Sequence, residues 1–289
     1  MSSQAGILEP CTPVGRHITF DLRYGAKAAE AIRKLAGSVP EASVLGLGEP
    51  AVRAIGKSVA GLRAFPGIAG SGVHTPSTQT AAWVFVREGS ASDCYDTTRA
   101  IQAATAADFT IVDEVGTFVY RGGHDLSGYE DGTQNPEGNE AREVSIVAQG
   151  ELAGSSFVAV QRWLHDIDRF QTMEALQRDH TIGRRIADNA EIPDAPVSAH
   201  VRRADQESFE PEAHVLRRSM PWSEGGKHGL YFVAFGASFD PFERILRRMV
   251  GCEDGVVDSL FAFTRPLTGG YYWCPPRRDG ELDLSVIGL

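Results

Sequence analysis

Apolar and polar positions along the chain spell out one phrase of strands and helices twice. In RHITFDLR (16–23) Ile18, Phe20 and Leu22 alternate with polar residues, the period of a half-buried strand. In KAAEAIRKLAG (27–37) Ala28, Ile32 and Leu35 fall at helical spacing, and Gly37 closes the run. SVLGLGE (43–49) and AAWVFVREG (81–89) read as strands. SDCYDTTRAIQAAT (92–105) predicts a helix capped by Ser92 or Asp93, and DFTIVDEVGTFVYRGG (108–123) predicts one or two strands. Strand, helix, strand, strand, helix, strand is the order of a ferredoxin-like unit.

The phrase returns more loosely downstream. GSSFVAVQRWLHD (154–166) opens with a strand and leads into a helix over 166–180. HGLYFVAFGAS (228–238) predicts another strand, followed by the helix DPFERILRRMVG (240–251) with Pro241 in its first turn. SFVAVQ and LYFVAF are apolar at nearly every position, so both are expected in the sheet interior, covered on two faces. The fold class expected is α+β: duplicated ferredoxin-like domains with antiparallel sheets, residues 1–140 and 141–289, joined through 136–150. One irregular α+β domain is the alternative.

Composition narrows the function classes. The 289 residues, 42% of them hydrophobic, suffice for two ordinary cores. A net charge of −10, with arginine pairs scattered at 184–185, 202–203, 217–218 and 247–248, argues against nucleic acid as a partner, because phosphate binding needs a concentrated basic footprint. No run of eighteen apolar residues argues for a membrane span, and MSSQAGILEPCTPVG has neither the charged nor the apolar region of a secretion signal. A soluble, cytoplasmic protein is expected. Cys11, Cys94, Cys252 and Cys274 lie far apart without CxxC spacing, as reduced thiols would.

One stretch fits none of the elements. HDLSGYEDGTQNPEGN (124–139) is poor in aliphatic residues, rich in glycine and carboxylates, and longer than a turn requires. It reads either as a solvated acidic connector or as a functional loop. Among the eight histidines, His17, His165 and His228 sit on or beside strands, His74 in a loop and His180 near a helix end. His200, in SAHVRRAD, and His214, in EAHVLRRSMPW, are the two weighed as metal ligands.

GYEDGTQNP (128–136) contains Gly128-x-x-Asp131-Gly132, which resembles the GxxDG signature of the dye-decolorizing peroxidases, a family of heme enzymes. VQRWLHD (160–166), IGR (182–184), SAHVRR (198–203), RRSMPW (217–222), HGLYFVAF (228–235) and FTRPLTGGYYW (263–273) are similar, in order and spacing, to the compact bacterial B-type members. The resemblance implies two ferredoxin-like domains with heme b (iron protoporphyrin IX) in the C-terminal one. It implies that His200 is the axial iron ligand, with His214 the second choice, and that Asp258 is the carboxylate fixing its tautomer. Asp131 matches the acid/base that moves a proton between the peroxide oxygens, and Arg217 the cation that stabilises the departing oxygen and leaves a ferryl species. Whether Arg217 or Arg218 faces the heme stays open, since neighbouring strand residues point to opposite faces. Arg184 resembles the family's propionate partner. Ser219 stands where B-type relatives often carry asparagine, and Leu260 and Phe263 line either the pocket or the core. Trp163, Trp222 and Trp273 are candidates for electron relay or for packing.

The resemblance implies a peroxidase that uses hydrogen peroxide to oxidise dyes, phenols or other aromatic reductants, active best at mildly acidic pH and fading near pH 4. A deferrochelatase-like heme-handling protein on the same fold is the alternative, and a heme-free binding module the third reading. A homo-oligomer is expected. The tail after CPP (274–276) has a polar hinge, 277–281, and then an apolar strip, Leu282, Leu284, Val286, Ile287 and Leu289. Such a strip either packs back on the protein or, by loose resemblance, docks the enzyme into an encapsulin shell.

Overall fold

The computed structural model describes residues 2–289. Its first half is β1 (Val14–Leu22), α1 (Ala28–Ser38), β2 (Val44–Leu47), β3 (Ala82–Glu88), α2 (Ala91–Thr105) and β4 (Phe109–Phe118). The second half is β5 (Ser156–His165), α3 (Ile167–Thr172), α4 (Ala175–Ile182), α5 (His200–Arg203), β6 (Leu216–Arg217), β7 (Met220–Glu224), β8 (Lys227–Gly236), α6 (Asp240–Met249), β9 (Thr264–Pro266) and β10 (Gly270–Cys274). All belong to one antiparallel ten-stranded sheet in the order β4-β1-β3-β2-β10-β5-β8-β6, with β9 on β5 and β7 on β8.

This order holds the duplication. The fourth strand of each half lies beside the first, the first beside the third, and the third beside the second. In the C-terminal half the second strand is broken into β6 and β7. The halves meet edge to edge where Leu47 of β2 faces Trp273 of β10. Gly46 makes that join possible, since a Cβ there would lie 2.6 Å from Cβ of Tyr272. Joining removes two exposed sheet edges. The two apolar strand segments are interior, as expected: Val158, Val160, Val233 and Phe235 pack on one side of the sheet, and Phe157, Ala159 and Ala234 on the other.

Several local expectations change. α2 begins at Ala91, one residue before the run 92–105 that the pattern suggests, because Ser90, neither Ser92 nor Asp93, caps it by accepting the Asp93 N–H at 3.2 Å. The single helix expected over 166–180 is two. Thr172 turns its hydroxyl back on the Arg169 carbonyl at 2.7 Å, and Met173 is extended. A helix, Gly138–Ser145, runs across the boundary expected at 140/141 and packs against β6 and β8.

The tail packs back. Arg277 pairs with Leu282 and Arg278 with Glu281 in a hairpin whose Asp279 and Gly280 both have positive φ, the geometry of a two-residue turn. Leu284 and Ile287 then bury themselves in the core beneath α1. Of the two readings of the strip, packing back is the one seen, because its apolar side chains find their partners within the chain. No helix among the described residues is long and apolar enough to cross a membrane.

Candidate active site

The pleat of the C-terminal sheet sorts side chains to two faces. Gln161, Trp163 and His165 alternate along β5, and Leu230 and Phe232 along β8, so all five point to one face and floor a cleft. Arg217 lies opposite Ala234, two residues on from Phe232, and shares that face. Its neighbours Leu216 and Arg218 point the other way. Arg218 donates to the carbonyls of Leu8 and Arg217 on the far side, which answers the question the sequence leaves open: Arg217 is the arginine in the cleft.

Helix α6 covers the floor with Phe242, Ile245, Leu246 and Met249, a stripe at i, i+3, i+4 and i+7. Leu260 and Phe263 complete the apolar wall. The cleft encloses about 1340 Å³, its open mouth included.

The loop 124–135 forms the rim. Asp131 follows a backbone bond from its N–H to the Gly123 carbonyl, and Gly132, at φ 79°, turns the chain immediately after it. The Asp131 carboxylate faces the open cleft. The protein packed around it nevertheless raises its pKa above the ordinary aspartate range, mainly by desolvation and further through the charge of Asp125; Arg217, the Gly132 N–H and His200 pull in the opposite direction. The Arg217 guanidinium has no hydrogen-bond or ion-pair partner among the described residues.

His200 opens α5. Its Nδ1 is 2.7 Å from Oδ2 of Asp258, whose other oxygen accepts the Leu260 N–H at 2.8 Å. Asp258 is buried and the imidazole is partly open to the cleft. With Nδ1 occupied, Nε2 is left without a hydrogen bond. Gly183 makes room beside it: at φ 94° it ends α4, and a Cβ there would lie 2.1 Å from Val201. Arg184 follows at once and lines the cleft, bonded to the Asn189 carbonyl at 3.0 Å and paired with Glu191 at 3.2 Å.

Asp131, Arg217, His200, Asp258, Arg184, Leu260 and Phe263 thus gather at one cleft. Ser219 does not join them. Its hydroxyl accepts the Val233 N–H at 3.1 Å, tied up in the broken second strand where β6 gives way to β7. His214 also stays outside, 2.7 Å from Glu212 at the surface. Trp163 reaches the cleft, Trp222 donates to the Trp163 carbonyl at 2.9 Å, and Trp273 is sealed in the core.

Sequence reasoning missed a second pair in the wall. His165 Nε2 lies 3.0 Å from Asp125 Oδ1, and its Nδ1 lies 2.6 Å from the Thr264 hydroxyl. Burial pushes the Asp125 carboxyl up, but His165 and Ser127 outweigh it and hold the pKa down at about 2. The signal available was the alternation Gln161, Trp163, His165. The partner Asp125, forty positions earlier, carries no such periodic mark.

The donor set suits a planar, apolar macrocycle with an axial nitrogen and carboxylate arms. One imidazole nitrogen is fixed by a buried carboxylate and the other is unbonded, the walls are apolar, and Arg184 stands at the rim.

Comparison with known proteins points to the same class of cofactor. The family model for the C-terminal part of Dyp-type peroxidases matches residues 123–279. A dye-decolorizing peroxidase of Mycolicibacterium paratuberculosis is 30% identical over 93% of this chain and 82% of its own. A variant of a Rhodococcus jostii peroxidase in complex with heme superposes with a TM-score of 0.85 at 26% identity, covering 95% of this chain and 96% of that one. The encapsulated DyP-type peroxidase of Mycobacterium smegmatis does so at 0.86 and 25%, over 95% and 96%.

Proposed function

The chain belongs to the Dyp-type peroxidase family and acts as a heme peroxidase, and from that premise we propose that the cleft under α6 is where heme b binds and hydrogen peroxide is cleaved. The observation carrying this reading is the His200–Asp258 pair at 2.7 Å, which leaves Nε2 unbonded in a cleft shared with Asp131 and an unpaired Arg217. Bound heme supplies the redox centre that takes up the oxidising power of peroxide and passes it to dyes, phenols or other aromatic reductants. Asp258 accepts the Nδ1–H, which keeps Nε2 a lone-pair donor and increases its basicity. Arg184 holds a propionate. The ionised Asp131 carboxylate takes a proton from one peroxide oxygen and returns it to the other, which leaves as water. The Arg217 guanidinium stabilises the charge on that departing oxygen in a site that apolar walls keep dry.

A heme-handling role on the same fold needs only the axial ligand, and the named relatives are peroxidases. The encapsulated M. smegmatis neighbour supports housing in an encapsulin shell, and a cytoplasmic homo-oligomer is part of the same proposal. Because Leu284 and Ile287 are buried, docking through 282–289 would require that segment to peel from the core.

His200→Ala tests the central assignment. The variant should fold, as the partly exposed imidazole belongs to neither hydrophobic core, and should lose stable heme binding and the axial-histidine visible spectrum. Retention of an unchanged spectrum would move the ligand elsewhere.

A further inference from the structure

Asp131 stands on a loop and Arg217 on a two-residue strand at the outer end of the sheet, so no ladder of strand bonds links them. Among the described residues β8 is the only strand beside Arg217. An edge strand presents peptide groups that need partners. For Arg217 one side chain supplies both: its N–H donates to Asn135 Oδ1 at 2.8 Å, and Asn135 Nδ2 donates to its carbonyl at 3.0 Å. The amide of Asn135 stands where the next strand would run.

Asn135 is itself anchored to the residue that follows Asp131. Its N–H donates to the Gly132 carbonyl at 2.9 Å, closing a four-residue turn. Gln206 Nε2 holds the adjoining Gln134 carbonyl at 3.2 Å. The path from Asp131 to Arg217 therefore consists of one closed turn and one pair of amide hydrogen bonds. Among side chains of this length only asparagine offers a donor and an acceptor side by side; aspartate lacks the donor, and alanine lacks both.

We propose that Asn135 is a positioning residue for peroxide cleavage, a strand mimic that sets the Arg217 backbone against the turn carrying Asp131. It acts through Arg217 and touches no reacting atom. The idea rests on the assignment of Arg217 to peroxide cleavage, and a four-variant cycle separates the two.

Wild type, Asn135→Ala, Arg217→Leu and the double variant are prepared full-length and heme-loaded. Each is mixed rapidly with hydrogen peroxide, and amide hydrogen exchange across 215–219 is followed in parallel. Asn135→Ala should keep the axial-histidine spectrum, slow the peroxide reaction by about tenfold, and speed exchange at the Arg217 amide by a similar factor. On the Arg217→Leu background it should slow the reaction no further, because a residue acting through another has nothing left to position. Full multiplication of the two effects, or unchanged exchange across 215–219, overturns the proposal alone. A wild-type rate in Arg217→Leu overturns the Arg217 assignment and the proposal together. Should Asn135→Ala not hold heme, Asn135→Leu, which fills the space and lacks both donor and acceptor, enters the same cycle under the same criteria.

Discussion

A carboxylate must be ionised to accept a proton, so in the role proposed for Asp131 its environment sets the acid limit of turnover. Desolvation and the charge of Asp125 raise its pKa, which places the loss of dye oxidation at a higher pH than an ordinary aspartate would give. Asp125→Asn removes the like charge and should move that limit to lower pH, read from kcat/KM against pH; a limit that stays put or moves upward would separate Asp131 from the acid limb. The sequence alone suggests a limit near pH 4, because it shows the residue type and conceals the protein packed around it. The same holds for His165, which looks like an ordinary strand-end histidine until the fold brings Asp125 to 3.0 Å. By contrast the family resemblance already singles out His200, Asp258, Arg184 and Arg217, which the fold brings to one cleft. The choice of Arg217 over Arg218 awaits the register with Ala234.

Strands and most helices are legible because their apolar period survives in the sequence: β1, α1, β3 and α6 fall within one or two residues of expectation. Breaks are less so. The split between α3 and α4 depends on a hydroxyl competing for a backbone carbonyl, and β6 and β7 are too short to show a period. His17 on β1 carries a consequence for the whole element. It is fully buried, stacked on Tyr231 at 3.9 Å and Phe85 at 4.3 Å, and neither ring nitrogen has a partner. Burial lowers its pKa well below 6.5. The unfolded chain then binds a proton below about pH 6.5 that the folded chain refuses, so stability is present above that pH and lost as pH falls, by up to about 1.4 kcal/mol per pH unit. Urea unfolding at pH 7.5 and pH 5.5 should show this slope in the wild type and a shallower one in His17→Phe. Equal slopes would mean that His17 accepts a proton in place.

At the scale of the whole molecule, the duplication is legible, whereas the continuous sheet is not. The join of β2 to β10 depends on a glycine whose need for closeness no local pattern announces. The tail carried a readable mark, Asp279-Gly280, whose hairpin turns the apolar strip back onto the core. Deleting residues 279–289 removes the buried Leu284 and Ile287, bares the core they cover, and should cost roughly 3–6 kcal/mol, seen as a lower Tm with loss of heme turnover. An unchanged Tm, turnover and oligomer size would instead mark the tail as a detachable docking segment. The central claim, that this cleft cleaves peroxide through Arg217 and Asp131, is tested most directly by rapid mixing of the heme-loaded enzyme with hydrogen peroxide while the Soret band is followed. The wild type should react at once, Arg217→Leu slower by roughly 10²–10³-fold, and Asp131→Asn slower by less. A Soret band that does not change in the wild type, or two variants that react as fast as it does, would contradict the account.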